Sequence, residues 1–253
     1  MAINEDKLSV LMKDFGFPKS TVFNRVIAKD VLLKQNKLSP RDKEMVTRNI
    51  KQINWVLLIR TDNTNIHASV SETEVYREID FIDIVLNDSR NVNKIAESIM
   101  SGIPKPLILQ LSWYDDKGSW WFTWAVADYK RNKGAENLMH PVNVHLSMPV
   151  SVEHKSLFLE KLVFHKQNTL DLGYLYKSIL NNIEAYNFEL NTGNAIDASK
   201  EVSSINNEIK STELKIARLK KSAKEEKQLN KRMQLIKEVR VLNEKIKKLS
   251  SGK

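Results

Sequence analysis

The sequence predicts an α/β (α+β) fold: a single mixed-sheet body with flanking helices, then a C-terminal helical hairpin or coiled coil. Three observations predict it. Apolar, β-rich runs cluster between residues 53 and 150, with helical periodicity on either side. The turn-like "DDKG" joins two of those runs as a hairpin. From Ile216 to Leu249 there is no Gly, Pro or aromatic residue, and apolar positions recur at helical spacing.

Taken in order, "MAINEDKLSVLMKDFGF" opens with a helix-like piece and leads into "FGFPKSTVFNRVIAKD". In "SPRDKEMVTRNIKQI", Ser39 is an N-cap, Pro40 takes the first helical position, and Val46, Ile50 and Ile53 follow at helical spacing. "INWVLLIRT" is a buried strand, "EVYREIDFIDIVL" another, and "NVNKIAESIMSG" a short helix ended by Gly102. Pro104 and Pro106 mark the start of the next strand, since proline is tolerated there and not in a strand's middle. "PVNVHLSMPV" alternates Val142, Val144, Leu146 and Met148 as an edge strand, and "SLFLEKLVF" leans to strand. A helix capped by Asn168 or Thr169 then places Leu175, Ile179, Ile183 and Tyr186 on one face. The body thus spans 1–190, a polar linker 191–200, and the basic tail 201–250.

The tail carries the chain's charge imbalance. From Lys200 to Lys253 there are 16 Lys and Arg against 7 Asp and Glu, which equals the net +9 of all 253 residues, so residues 1–199 are neutral. A basic tail on a neutral body suggests an acidic partner, nucleic acid or a protein face, against the simpler reading of a solvated lysine-rich helix. Val202, Ile205, Ile209, Thr212, Ile216, Leu219 and Ala223 form one 3-4 seam. Leu235, Val239, Leu242, Ile246 and Leu249 form a second in a different phase. Two incompatible seams favour a helix folded back on itself over one long rod. The fold-back gathers Lys220, Lys221, Lys224, Lys227, Lys231 and Arg232 at its tip as candidate partner- or nucleic-acid-binding residues. The tail lacks aromatic residues for base stacking, which argues against single-strand reading.

No Cys is present, which excludes disulfides and thiol catalysis; no run of about 18 apolar residues suits a bilayer; and the start lacks the order of a secretion signal. A cytoplasmic protein without membrane contact is expected.

"FGFPKSTVFNRVIAKD", "INWVLLIRTDNTNIHAS", "EIDFIDIVL", "IPKPLILQL" and "KEEKQLNKRMQLIKEVRVLNEKIKKL", in this order, resemble the bacterial family called domain of unknown function 4391. Members of that family are often encoded beside helicases and DNA methyltransferases in restriction-like phage-defence islands. The resemblance implies an accessory subunit docked on a large helicase/translocase or methyltransferase subunit, and it carries over no catalytic residue.

The residues themselves offer one enzymatic alternative. Asp116 in the hairpin turn, followed by Asp128-x-Lys130 at a strand end, matches the acid…acid-x-Lys pattern by which nucleases hold Mg²⁺ and orient water, with Glu78, Asp80 and Asp83 as further acids. Against it, Asp is the ordinary residue of such a turn. The five His residues show no zinc spacing, no nucleotide-cradling glycine loop occurs, and no helix-turn-helix pattern supports a stand-alone DNA-binding regulator. Metal chemistry is expected only under the nuclease alternative. Trp113, Trp120, Trp121 and Trp124 fill a sheet face in the simpler reading, but adjacent Trp120 and Trp121 point to opposite faces, so Trp120 is a candidate anchor. Phe15 and Phe17, beside Lys19 and Arg25, are candidates for docking or for the core.

Overall fold

Ser39 starts the first described long helix, α1 (Pro40–Asn49), in the way its sequence predicts. The Ser39 hydroxyl oxygen accepts the Asp42 N–H at 3.2 Å, and Pro40 occupies a position where no N–H is needed. The computed structural model describes residues 13–30, 38–132, 138–151 and 155–251; the helix expected ahead of Phe15 falls outside them. The helix stops sooner than its spacing implies. Ile50 and Ile53 belong to the strand β2 (Ile50–Arg60), because the β-branched run that they open pairs along its length with a neighbouring strand. Ser39→Ala removes the cap and should cost about 1 kcal/mol, read as a lower urea midpoint. An unchanged midpoint would mean that packing alone holds this helix end.

The other strands are β1 (Val22–Val26), β3 (Ser69–Val70), β4 (Val75–Tyr76), β5 (Glu78–Leu86), β6 (Leu107–Tyr114), β7 (Trp120–Arg131) and β8 (Met139–Leu146). "EVYREIDFIDIVL" is therefore two strands, parted at Arg77. Six strands form one sheet in the order β1-β2-β5-β6-β7-β8, while β3 and β4 form a separate ribbon. Neighbours in the six-stranded sheet are antiparallel except β5 and β6, which are parallel and joined by the crossover helix α3 (Val92–Gly102). A short helix, α2 (Thr61–Thr64), follows β2. Helix α3 buries Ile95, Ala96, Ile99 and Met100 and packs against β6 and β8. The "DDKG" turn closes β6 onto β7. Gly118 sits there at φ +79, a conformation that side chains with a Cβ rarely adopt, and Asp115 accepts the backbone N–H groups of Lys117 and Ser119.

Aromatic side chains seal one face of the sheet. Phe81, Phe122 and Trp124 project from it and meet Phe15, Phe17 and Phe158, with the Phe15–Trp124 ring centroids 4.6 Å apart. Phe158 comes from α4 (Lys155–Leu162), which corrects the strand expected over "SLFLEKLVF". Phe158 and Leu162 are one helical turn apart and both buried, and that contact decides the segment against its short apolar run. Of the alternating set, Val142 on β8 and Met148 just past its end are exposed, whereas His145 and Ser147 between them are buried. Ser147 is held there by Thr123 and by the Trp124 N–H.

Helix α5 (Leu172–Thr192) buries Leu175, Ile179, Ile183 and Tyr186 as expected. Its cap is Asp171, which accepts the Tyr174 N–H at 2.8 Å, rather than Asn168 or Thr169. The buried Tyr176 hydroxyl accepts the Ala127 N–H and donates to the Leu107 carbonyl, tying β7 to β6 where β6 begins.

The chain divides into two compact units, Met1–Ile183 and Glu184–Lys253, so α5 crosses from one to the other. In the second unit Phe188 packs with Val202 and Ile209, joined by Ile196, Ile205, Ile246 and Leu249. Helices α6 (Lys200–Glu225) and α7 (Leu229–Ser250) form the expected antiparallel hairpin.

Candidate docking site

Extended backbone at Glu226 and Gln228 turns α6 into α7 without glycine or proline. The Glu226 carboxylate accepts the Gln228 N–H at 2.9 Å and fixes the corner. Ion pairs Lys215–Glu238 (2.9 Å) and Lys245–Glu208 (2.6 Å) link residues equally far from that corner, which sets the antiparallel register. Val202, Ile209, Thr212, Ile216 and Ala223 from one seam and Val239 from the other are buried between the helices.

These bridges pair two lysines of the shank, whereas the cations of the tip stay unpaired. Lys220, Lys221, Lys224, Lys227, Lys231 and Arg232 are all exposed, and among the described residues none of the six enters an ion pair. Only Glu225 and Glu226 lie in the same stretch, so residues 220–232 carry six cations against two acids, a net +4. Cations held together on a rigid corner attract an anionic surface with little ordering cost, and the attraction is screened by salt.

The acids of the nuclease alternative are not brought together. Asp116 is in the hairpin turn, whereas Asp128 lies eight residues into β7, about 26 Å further along at ~3.3 Å per residue. A shared Mg²⁺ needs its oxygen ligands within about 2.1 Å of the ion. Asp128 instead faces its neighbour strand, with His145 Nε2 at 3.0 Å and Asn143 Nδ2 at 3.3 Å from its Oδ2; the His145 contact, first of all, holds the carboxyl below its usual range. Lys130 is exposed, paired in register with His140. Asp115, next to Asp116, is also held low by the Ser119 N–H and the Trp121 indole. Among the described residues, no three His, Asp or Glu side chains converge as metal ligands.

Phe15 and Phe17 are 0% and 3% exposed, so both belong to the core and neither is presented to a partner. Trp120 is half-buried, its ring 4.9 Å from that of Phe122.

Asp83, which the sequence offers only as a further acid of the nuclease alternative, belongs instead to a buried polar row that also holds Asn54 and Gln110. Asn54, Asp83, Gln110 and Trp124 stand opposite one another on β2, β5, β6 and β7. Asn54 and Gln110 donate to Asp83 at 3.3 and 3.1 Å, and the Trp124 indole donates to Gln110 at 3.0 Å. Each is almost fully buried, so the row fixes strand register and is closed to substrate. Asp80 points to the opposite face. Burial pushes its carboxyl up to about 7, against the pull of Lys105, which pairs with Glu78; among the described residues Asp80 Oδ1 has no hydrogen-bond partner. The visible signal was a polar residue inside an apolar run, in "EIDFIDIVL" and "LILQL".

A groove of about 260 Å³ between α1 and α3 is lined by Arg41, Arg48 and Lys94 together with Asp42 and Glu44, a mixture of charges without one sign. No described helix is long and apolar enough to cross a membrane.

A family model described as a domain of unknown function, DUF4391, matches residues 15–246. Comparison with curated proteins and with solved structures gives no match.

Proposed function

The chain belongs to the DUF4391 family, and from that membership together with the cationic hairpin tip we propose that it is a non-catalytic accessory subunit of a bacterial, restriction-like phage-defence assembly that processes DNA in the cytoplasm. It docks on a large helicase/translocase or methyltransferase subunit through residues 220–232. The observation that carries the reading is the cluster of six cations, unpaired among the described residues, at the corner of a self-bridged hairpin that follows 199 residues of zero net charge. The defence setting rests on the genomic neighbourhood that the family resemblance implies. The separation of Asp116 from Asp128 favours an adaptor over a nuclease built on those residues.

The test is charge reversal in the full chain. With Lys220, Lys221, Lys224 and Lys227 changed to Glu, the tagged protein should lose its large subunits on purification from the native host. The loss should be about tenfold or more at low salt and should be accompanied by failed phage protection. The helical circular dichroism should stay as in the wild type, because these side chains are exposed. Wild-type recovery of the large subunits at low salt would show the tip to be solvated surface, and cleavage of plasmid DNA by the lone purified chain would sink the adaptor.

A further inference from the structure

We propose that the hairpin tip packs against an acidic amphipathic helix of its protein partner rather than nucleic acid; this rests on the docking reading above and names the partner's chemistry. Leu229 is 71% and Met233 59% exposed, at the start of α7. With half-buried Ile236 they stand at i, i+4 and i+7, one unbroken apolar row beside the seam that closes onto α6. Leu214 and Val241 are also exposed, but each stands alone on the shank, as scattered apolar residues ordinarily do. Helical spacing places Arg232 on one flank of the row and Lys237 on the other, with Lys227 at the corner.

An apolar row with a cationic rim is one half of a helix–helix contact: the row packs on the apolar stripe of the partner helix, and the rim meets the Asp and Glu beside that stripe. Phosphates along a duplex would satisfy the cations and leave the row in water, and the tip has no aromatic residue on which a base could stack. A second copy of the same tip is disfavoured by charge, since each carries +4. The remaining nucleic-acid route, insertion of Leu229 and Met233 as a wedge between base pairs, gives a different outcome below.

The experiment uses the full-length chain and three fluorescent probes. One is a synthetic helical peptide with Leu and Phe along one face and Glu and Asp elsewhere. The second is its charge-matched companion with Ser at every apolar position, and the third a short DNA duplex. Anisotropy is measured at about 50 and about 200 mM salt. The wild type should bind the apolar-faced peptide about tenfold tighter than the Ser companion. The double variant Leu229→Ser/Met233→Ser should erase that difference while leaving duplex affinity and helicity unchanged. Equal affinity for the two peptides in the wild type, or no binding of either, overturns the inference. Loss of duplex affinity in the double variant overturns it in favour of the wedge. If the Lys→Glu reversal abolishes peptide binding and the two peptides never differed, docking by charge stands and only the apolar partner falls. If the reversal changes nothing, the docking reading itself falls.

Discussion

Trp124→Ala should lower the protein's stability by about 3–5 kcal/mol, a large share of the roughly 5–15 kcal/mol that holds a domain folded. Trp124 is 0% exposed and lies at the centre of the aromatic layer, its ring 4.6 Å from Phe15, 5.1 Å from Phe81 and 5.3 Å from Phe158. Truncation leaves a cavity that three rings from distant segments cannot close together. It also strips Gln110 of the indole N–H at 3.0 Å, and an acceptor left unpaired in this interior adds about 1–3 kcal/mol. Trp124→Phe keeps most of the volume and loses the hydrogen bond, so it should fall between the two. Urea unfolding of the full chain followed by circular dichroism measures all three. A loss under about 1.5 kcal/mol for the alanine variant would mean that the aromatic layer repacks freely.

Asp80→Asn should gain stability in alkaline solution, although it alters a buried polar residue. In the folded protein the carboxyl titrates near 7, against its ordinary 3.8. A raised value means that the folded state holds the proton more tightly than the unfolded chain does. The associated stability is therefore fully present below about 3.8 and lost as pH rises through about 7. Across that window the change is on the order of 4 kcal/mol. The wild type should accordingly melt higher at about pH 5 than at about pH 8, and Asp80→Asn should flatten most of that slope. Melting curves of both proteins at the two pH values decide it. Parallel slopes would show that Lys105 already compensates the ionised Asp80 carboxylate.

Sequence periodicity was most legible where one contact type decides the structure. The two tail seams could not share one straight helix, and the hairpin with its corner at Glu226–Gln228 is the result. The turn residues of "DDKG" and the single face of Leu175, Ile179, Ile183 and Tyr186 were equally plain. Legibility failed where a distant segment chooses. Apolar "SLFLEKLVF" suits a strand as well as a helix until Phe158 meets Phe15 and Phe122. Phe15 and Phe17, beside Lys19 and Arg25, suit a docking epitope as well as the core until Trp124 and Phe81 cover them. At the tip the cations were visible from their clustering. The apolar row was hidden, because Leu229 and Met233 declare themselves only once the other seam is seen to close without them.

The aromatic layer also imposes an order on the protein's birth. Phe158, one of the rings that Phe15 packs against, is made about 140 residues after it, which at 5–20 residues per second is a wait of roughly 7–30 s. The β6–β7 hairpin needs only its own turn and forms without that delay. The layer over Phe15 therefore cannot close in full until Phe158 has been made. A ribosome-associated holdase should bind there, on rings made well before one of the partners that cover them.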